Sequence, residues 1–269
     1  MIDVPKVEMR PGDYVEDGLI HCGKCHEPRQ TVFEAYGKIP EQLIPRSCKC
    51  DRDRETAEAM SKYRKARAEQ AERFRDECFP FEALKAMTFE ADDRSNARVT
   101  ERCERYADRF EDALSQRAGL LFWGPVGSGK TYHAACIANR VIDIGHSAVF
   151  TSISRVSADM SAARFTGASK VIDELLRHEL IVLDDLGTER ETEAAREQAN
   201  EIVDALSVSS CVPILTTNMS VEAMRSETDP TLQRIYSRIF GMCQPVKVEH
   251  ADRRLSVSDD RADFYRSIW

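Results

Sequence analysis

Residues 124–131 have the types and spacing of a loop that binds phosphate groups, because Gly-Pro-Val-Gly-Ser-Gly-Lys-Thr matches G-x-x-x-x-G-K-[ST] at every fixed position. Glycines there let backbone N–H groups turn inward around phosphates, and the N-terminus of the following helix adds partial positive charge. Lys130 can then reach the outer phosphates, and the Thr131 hydroxyl can bind Mg²⁺. The alternative, a glycine-rich turn without a ligand, is disfavoured by the strand-like run before the loop and the helix-like run after it. The predicted nucleotide-binding residues are Gly124, Pro125, Val126, Gly127, Ser128, Gly129, Lys130, Thr131 and Tyr132.

A second strand-like run, 180–183, ends in two acidic residues, Asp184 and Asp185. At the end of the strand, Asp184 is placed to hold Mg²⁺ through water opposite Thr131. Asp185 then points toward the γ-phosphate and can orient or deprotonate an attacking water. An ordinary solvated acidic turn is the alternative, and it is disfavoured downstream of a phosphate-binding loop.

A third strand-like run, 212–216, is followed by Thr217 and Asn218. An amide at this position can hydrogen-bond the γ-phosphate or the attacking water, so we expect Asn218 to sense hydrolysis. The alternative is an asparagine that only caps the helix expected over residues 220–224.

Two arginines, Arg234 and Arg238, lie four residues apart on one face of a helix expected over residues 231–239. Such an arginine can reach the γ-phosphate bound to a neighbouring subunit and stabilise transition-state charge. The residues alone favour the alternative, a surface salt bridge.

From residue 120 onward the chain alternates strand-like and helix-like segments, which is typical of a parallel sheet with crossover helices. A preceding helix is expected over residues 96–118. Strands are expected at 120–123, 148–152, 180–183, 212–216 and 245–248, and helices near 131–142, 157–165, 168–177, 191–206 and 231–239. These elements predict an α/β fold with a five-stranded parallel sheet, as in P-loop ATPase cores.

Four of the nine cysteines form two close pairs near the N-terminus, Cys22 with Cys25 and Cys48 with Cys50. A C-x₂-C pair on a turn is a common half of a tetrahedral zinc site, and the tighter C-x-C pair can still chelate. A region too small and polar to build its own core would gain folding free energy from the metal. We therefore expect structural Zn²⁺; redox-active cysteines and plain thiols remain alternatives. Two histidines are alternative ligands, His21 and His26.

The charged stretch 51–76 predicts a long helix with a thin apolar stripe, and Cys78-Phe79-Pro80-Phe81 marks a boundary after it. We expect an N-terminal module at 1–78 and a nucleotide domain at 79–269. The net charge of −8 argues against a basic surface that covers the whole protein. No apolar run predicts a membrane span or a secretory signal, so we expect a cytoplasmic protein without membrane association.

The motifs at 124–131, 183–187, 216–218 and 237–238 together resemble those of AAA+ ATPases of the DnaC/DnaI helicase-loader group, and IstB-like transposition helpers are similar here. The resemblance covers roughly residues 80–250. It implies ATP as the nucleotide and Arg238 as the inter-subunit finger, with Arg234 as its rival. It also implies an AAA+ core without a full C-terminal lid, which leaves a second sensor arginine at 253 or 254 open. Asp185 replaces the glutamate of many AAA+ proteins, and this shorter acid suggests slow hydrolysis.

The resemblance implies an ATP-dependent loader that binds the replicative DNA helicase and single-stranded DNA, and that assembles as a homo-oligomeric spiral. The N-terminal module would dock on the helicase, and ATP binding and hydrolysis would time loading and release. One alternative is an IstB-like transposition helper ATPase that acts on double-stranded DNA; another is a non-enzymatic adaptor with a structural nucleotide. The weak candidates for DNA contact are Arg155, Arg164, Phe165 and Lys170.

Overall fold

The computed structural model describes residues 7–37, 39–163, 167–187, 192–250, 266, 268 and 269. The chain divides into two compact units, Met1–Ala68 and Glu69–Trp269. The expected division after residue 78 lies further along the same helix. The structural division comes earlier because Ala71, Cys78 and Phe79 are buried in the core of the second unit.

The first unit contains two antiparallel hairpins. The first hairpin turns at Asp17-Gly18, whose φ angles of 48° and 77° are those of the tight turn that Asp-Gly favours. The predicted long helix follows the second hairpin. The elements are β1 (Tyr14–Glu16), β2 (Leu19–His21), β3 (Gln30–Phe33), β4 (Gln42–Pro45) and α1 (Lys49–Cys78).

The second unit begins with three helices, α2 (Glu82–Lys85), α3 (Ala97–Asp108) and α4 (Phe110–Gln116). The expectation of one continuous helix over 96–118 is wrong, because Arg109 leaves helical geometry at φ −109° and ψ 31°. The break allows Phe110 to be fully buried, with its ring 5.1 Å from that of His146. Burial of this aromatic side chain outweighs the lost helical hydrogen bonds.

The rest of the second unit is a five-stranded parallel sheet in the order β6-β7-β8-β5-β9, which confirms the predicted α/β core. Helices cover both faces, and each face has its own apolar cluster. The elements are β5 (Gly119–Trp123), α5 (Lys130–Asp143), β6 (Ala148–Thr151), α6 (Ile153–Ala162), α7 (Ala168–Leu175), β7 (Leu180–Leu186), α8 (Glu193–Val208), β8 (Val212–Thr217), α9 (Val221–Arg225), α10 (Pro230–Met242) and β9 (Cys243–Lys247).

The order of the strands determines where the functional residues meet. Strand β8 lies between β5 and β7, so the carboxyl ends of these three strands are adjacent. Ligands of open α/β sheets bind at such an edge. Within the described residues, no helix is both long and apolar enough to span a membrane.

Candidate nucleotide site and cysteine cluster

The loop between β5 and α5 has the backbone geometry of a phosphate cradle. Gly127 and Gly129 adopt left-handed φ angles of 75° and 99°, which side chains rarely allow. A Cβ on Gly124 would lie 2.3 Å from the carbonyl oxygen of Val248. The Ser128 hydroxyl is buried and has no hydrogen-bond partner within the described part of the chain. Close backbone packing and a buried polar atom without a partner both suit a loop that encloses an anionic ligand.

Lys130 is held at the carboxyl edge of the sheet with only 5% of its surface exposed. Its Nζ donates hydrogen bonds to the carbonyl oxygens of Gly124 at 3.0 Å and Pro125 at 2.8 Å. It also donates to Oδ1 of Asn218, the residue directly after β8, at 2.8 Å. The structure thus brings the predicted phosphate-binding lysine into direct contact with the predicted sensor amide. A phosphate oxygen would be a stronger acceptor than these neutral oxygens because it carries negative charge.

Thr131 and Asp184 form a second contact across the same edge. Thr131 Oγ1 lies 3.0 Å and 3.2 Å from the two carboxylate oxygens of Asp184 and donates its hydrogen bond to them. Burial raises the pKa of the Asp184 carboxyl, and a hydrogen bond from Thr216 opposes that rise. A hydroxyl and a carboxylate are oxygen ligands of the kind that Mg²⁺ prefers. The two side chains are therefore close enough to serve one magnesium ion together.

Thr216 is a site residue that the sequence reasoning missed. Its hydroxyl donates to Oδ1 of Asp184 at 2.6 Å and accepts from the backbone N–H of Asp185 at 2.9 Å. The side chain is fully buried at the end of β8. The register of the two strands places Thr216 beside Asp184, because Leu183 pairs with Leu215. Recognising it required knowledge that β7 and β8 are adjacent.

The two acidic residues of β7 lie in a β-bulge. The register shifts between Leu183 and Leu186, where β7 has one more residue than β8. Asp185 lies within this bulge with φ at 57°, and its side chain is exposed. Successive residues of a regular strand point to opposite faces, so the bulge changes the direction in which Asp185 points. Asp184 and Asp185 can therefore differ in role although they are adjacent in sequence.

We expect the substitution Thr216→Val to raise the Mg²⁺ concentration needed for half-maximal ATP turnover by about 10-fold, the effect of losing one hydrogen bond to a charged group. Valine keeps the shape of threonine but leaves Asp184 without the donor that orients it. Magnesium titrations of ATP turnover measure the effect. Thr217→Val is the matched control, since the Thr217 hydroxyl donates to the carbonyl of Leu186 instead. Equal Mg²⁺ dependence of wild type and Thr216→Val would contradict a positioning role.

The two candidate arginines of α10 differ in their surroundings. Arg238 donates to Oδ1 of Asn200 at 2.9 Å and forms an ion pair with Asp204 at 2.7 Å, both on α8. Arg234 is exposed and forms no hydrogen bond or ion pair with any residue that the structure describes. The intrachain salt bridge considered for this helix is thus formed by Arg238, and Arg234 is free to reach outward. The finger role of either arginine stays a prediction.

We expect Arg238→Ala to reduce ATP turnover at least about 10³-fold while sparing ATP affinity, the size of effect typical of an arginine finger. The physical reason is that a finger acts on transition-state charge at a neighbouring subunit and contributes little to ground-state binding. Steady-state hydrolysis and equilibrium nucleotide titration separate the two quantities. Arg234→Ala is the matched variant on the same helix. If Arg234→Ala alone lowers ATP turnover and Arg238→Ala does not, the finger is Arg234.

Comparison with known proteins identifies the family. Residues 105–260, more than half of the chain, match the family model described as IstB-like ATP binding protein. The chain belongs to this IstB-like family. The match confirms the resemblance to IstB-like and DnaC-type proteins and the P-loop ATPase core.

Curated relatives of this IstB-like chain include proteins named for helicase loading. The uncharacterized protein YdaV of Escherichia coli (strain K12) is 30% identical over 139 residues, which are 49% of this chain and 56% of YdaV. The replicative helicase loader DnaC of Buchnera aphidicola subsp. Acyrthosiphon pisum (strain APS) is 28% identical over 134 residues, which are 48% of this chain and 53% of DnaC. The chain therefore spans about half the length of the curated relatives it matches.

A solved structure supports the fold assignment of the IstB-like domain. The crystal structure of the DnaC helicase loader aligns with a TM-score of 0.54 and 21% identity, covering 63% of this chain and all of that chain. At this identity the likeness concerns the fold alone. It supports the predicted α/β fold of the nucleotide core.

Outside the IstB-like domain, the four N-terminal cysteines come together as predicted from their spacing. The Sγ atoms of Cys22, Cys25, Cys48 and Cys50 all lie within 4.8 Å of one another. Ligands of a tetrahedral zinc–thiolate site are separated by ~3.8 Å, given Zn–S bonds of about 2.3 Å. Among the described residues the group contains neither His21 nor His26. The cluster thus fits one tetrahedral metal ion ligated by four sulfur atoms.

The first unit has almost no apolar core apart from this cluster. In the described part of residues 7–68, the buried apolar side chains are Cys22 and Cys48 alone. A buried ion network lies alongside them: Arg29 pairs with Asp13, and Asp51 accepts hydrogen bonds from Arg10 and from the Cys48 thiol. Such a unit lacks the hydrophobic burial that normally offsets conformational entropy, so a metal cross-link would supply the missing stabilisation.

The two halves of the cluster have different electrostatic surroundings. Backbone hydrogen bonds from Cys50 and Glu27 lower the pKa of the Cys25 thiol to about 6. Burial raises the pKa of the Cys48 thiol to about 12. Metal binding requires thiolates, so an ion at this site would have to displace the proton of Cys48.

Several sequence candidates do not take part in either site. Arg155 and Lys170 are exposed side chains on α6 and α7, and DNA contact by either stays a prediction. The remaining candidates, Arg164, Phe165, Arg253 and Arg254, lie outside the described residues.

Proposed function

We propose that this protein is an ATP-dependent helicase loader. It binds the replicative DNA helicase and single-stranded DNA in the cytoplasm, and ATP binding and hydrolysis time the loading and release of the helicase. The observation that carries the proposal is the 28% identity between the nucleotide core and a replicative helicase loader, DnaC. The separate cysteine unit supports it, because a small module joined by a long helix suits docking on a partner.

The ATP chemistry follows from the contacts at the sheet edge. Lys130 exchanges its carbonyl and amide acceptors for phosphate oxygens, which frees the Asn218 amide. Thr131 and Asp184 would hold Mg²⁺, and the bound ion would supply positive charge that neutralises the phosphates during transfer. Asp185 orients the attacking water, and its short side chain keeps turnover slow, as suits a switch.

Asn218 senses hydrolysis of the bound nucleotide. The residue follows β8 directly, and the helices α9 and α10 come next along the chain. A change in the acceptors of Lys130 therefore changes the hydrogen bonds of Asn218, just before the start of α9. Arg238 on α10 acts in trans in a homo-oligomer, so each subunit completes the site of its neighbour.

Co-elution with the replicative helicase of the same host tests the proposal. The full chain and a variant that lacks residues 1–68 are compared with ATP and with ADP on a sizing column. Deletion to residue 68 leaves Ala71 and Cys78 in place within the core of the second unit. We expect a complex that depends on nucleotide and on the N-terminal unit. Absence of a complex under every condition would contradict the loader function.

A transposition helper is the second candidate, favoured by the match to the IstB-like family model. It predicts binding and remodelling of double-stranded DNA with a transposase as partner. Nucleotide-dependent protection of duplex DNA, without any helicase complex, would replace the first proposal by this one. A protein that binds ATP but never hydrolyses it, even with DNA and partner, would instead be a non-enzymatic adaptor.

A further inference from the structure

Helix α3 has a buried face and an opposite face that carries three arginines. Residues of an α-helix are separated by about 100° of rotation, so Arg98, Arg102 and Arg105 fall within an arc of about 60°. Their side chains are all exposed. Val99 and Cys103 are buried on the other side, toward α5. We call the three arginines the arginine stripe.

The arginine stripe has few compensating charges. Within the described residues, Arg98 and Arg102 form no hydrogen bond or ion pair. Arg105 donates to the backbone carbonyl of Glu101 at 3.3 Å, which leaves its charge uncompensated. The Glu101 carboxylate at the edge of the stripe gives one negative charge against three positive charges.

The other acidic residues of α3 are paired away from the stripe. Glu104 accepts two hydrogen bonds from Arg94, at 2.7 Å and 3.1 Å. Asp108 accepts one from Nε of Arg140 at 2.8 Å. The stripe is therefore a local concentration of positive charge on a chain with a net charge of −8.

We propose that the arginine stripe binds the phosphate backbone of a nucleic acid. This identifies a surface for the DNA binding of the proposed function and rests on that function. A net-negative protein repels a polyanion over most of its surface, so contact requires a local positive site. The guanidinium groups provide planar pairs of donors that match phosphate oxygens. They follow one another along the helix at about 5 to 6 Å, given a rise of about 1.5 Å per residue.

The chemistry of α3 favours a nucleic acid over a protein partner. Protein interfaces have an apolar or aromatic centre that is depleted of charge. In the described part of the chain, the large apolar side chains with high exposure all lie outside α3. Contacts to phosphates need only charge and hydrogen-bond donors, and they carry no sequence preference. The stripe thus fits a backbone contact that is independent of sequence.

The test is the full-length triple variant Arg98→Gln, Arg102→Gln, Arg105→Gln, with glutamine chosen because it keeps helix propensity. Fluorescence anisotropy measures binding of single-stranded and duplex oligonucleotides of equal length over a range of salt concentrations. We expect a 10- to 100-fold loss of affinity at low salt. The slope of log affinity against log salt should fall by about 2 for single strands, or nearly 3 for duplex, if all three contacts are lost. The oligonucleotide whose affinity falls more, single-stranded or duplex, is the form of nucleic acid that the stripe binds.

Two controls accompany this variant. The triple variant Arg73→Gln, Arg177→Gln, Arg225→Gln makes the same change in charge at dispersed exposed sites and should keep the wild-type salt slope. The triple variant Arg98→Lys, Arg102→Lys, Arg105→Lys keeps the charge and should restore most of the binding. ATP affinity and the midpoint of thermal unfolding should be unchanged in both stripe variants, because the stripe faces away from α5.

An unchanged salt slope in the glutamine variant would overturn the inference, and so would an equal loss in the dispersed control. These outcomes leave the loader function standing, since wild-type DNA binding and helicase co-elution are measured separately. If the wild type binds neither oligonucleotide, the DNA-binding part of the proposed function fails together with the inference. Binding of an acidic protein at the stripe in place of DNA would likewise overturn it.

Discussion

Replacement of Lys130 by alanine is expected to lower ATP affinity by at least about 100-fold, since each charge-assisted hydrogen bond contributes ~1.5–3 kcal/mol and at least two are lost. The Nζ atom is already held at the site by Gly124, Pro125 and Asn218. Little ordering of the side chain is therefore needed when phosphate replaces these acceptors. Turnover should be abolished as well, because the same charge stabilises the transferring phosphoryl group.

Equilibrium titration with a fluorescent ATP analogue measures this effect. Lys85→Ala is the matched control, because Lys85 forms ion pairs with Asp76 and Glu82 and lies outside the phosphate loop. It should bind ATP as the wild type does. The unfolding midpoint of Lys130→Ala is measured alongside to show that the variant is folded, because the change also removes positive charge near the Asp184 carboxylate. Unchanged ATP affinity in Lys130→Ala would contradict the site assignment.

Loss of one cluster cysteine is expected to unfold the N-terminal unit. Structural zinc sites in small domains contribute ~10–16 kcal/mol of apparent binding free energy, which exceeds the whole stability of such a unit. The substitution Cys48→Ser should therefore remove the bound zinc and expose residues 7–68 to limited proteolysis. ATP affinity should be unaffected, because the nucleotide site lies in the other compact unit.

Elemental analysis of the purified protein measures the zinc, and protease sensitivity measures the fold. We expect one zinc ion per wild-type chain. Cys211→Ser is the control, since this thiol lies outside the cluster and should leave zinc content unchanged. Full zinc content in Cys48→Ser would contradict the assignment. A wild-type unit that is protease-resistant without any metal would contradict it equally.

Local patterns predicted which side chains meet at the carboxyl edge of the sheet. The loop 124–131 follows β5, Asn218 follows β8, and Asp184 lies near the carboxyl end of β7. Parallel strands bring their carboxyl ends to one edge of a sheet. The contacts Lys130–Asn218 and Thr131–Asp184 are what that topology requires. The cysteine cluster followed in the same way from close spacing within two short segments.

The features that were missed depend on contacts between elements distant in sequence. Thr216 acquires its role only because β8 lies beside β7, and the bulge at Asp185 has no local signal in the sequence. The break at Arg109 arises from burial of Phe110, which overrides helix propensity. The sequence indicated a salt bridge on α10, but its partner Asp204 depends on the packing of α8 against α10.

A closed single-stranded DNA circle is the substrate on which the proposed loading of a helicase can be measured. Such a circle has no free end to thread, so unwinding of an oligonucleotide annealed to it reports loading. We expect the host replicative helicase to unwind the oligonucleotide efficiently only with this protein and ATP. The Lys130→Ala variant should fail to support unwinding. Equal unwinding with and without the protein, under conditions where its ATP turnover is active, would contradict the account.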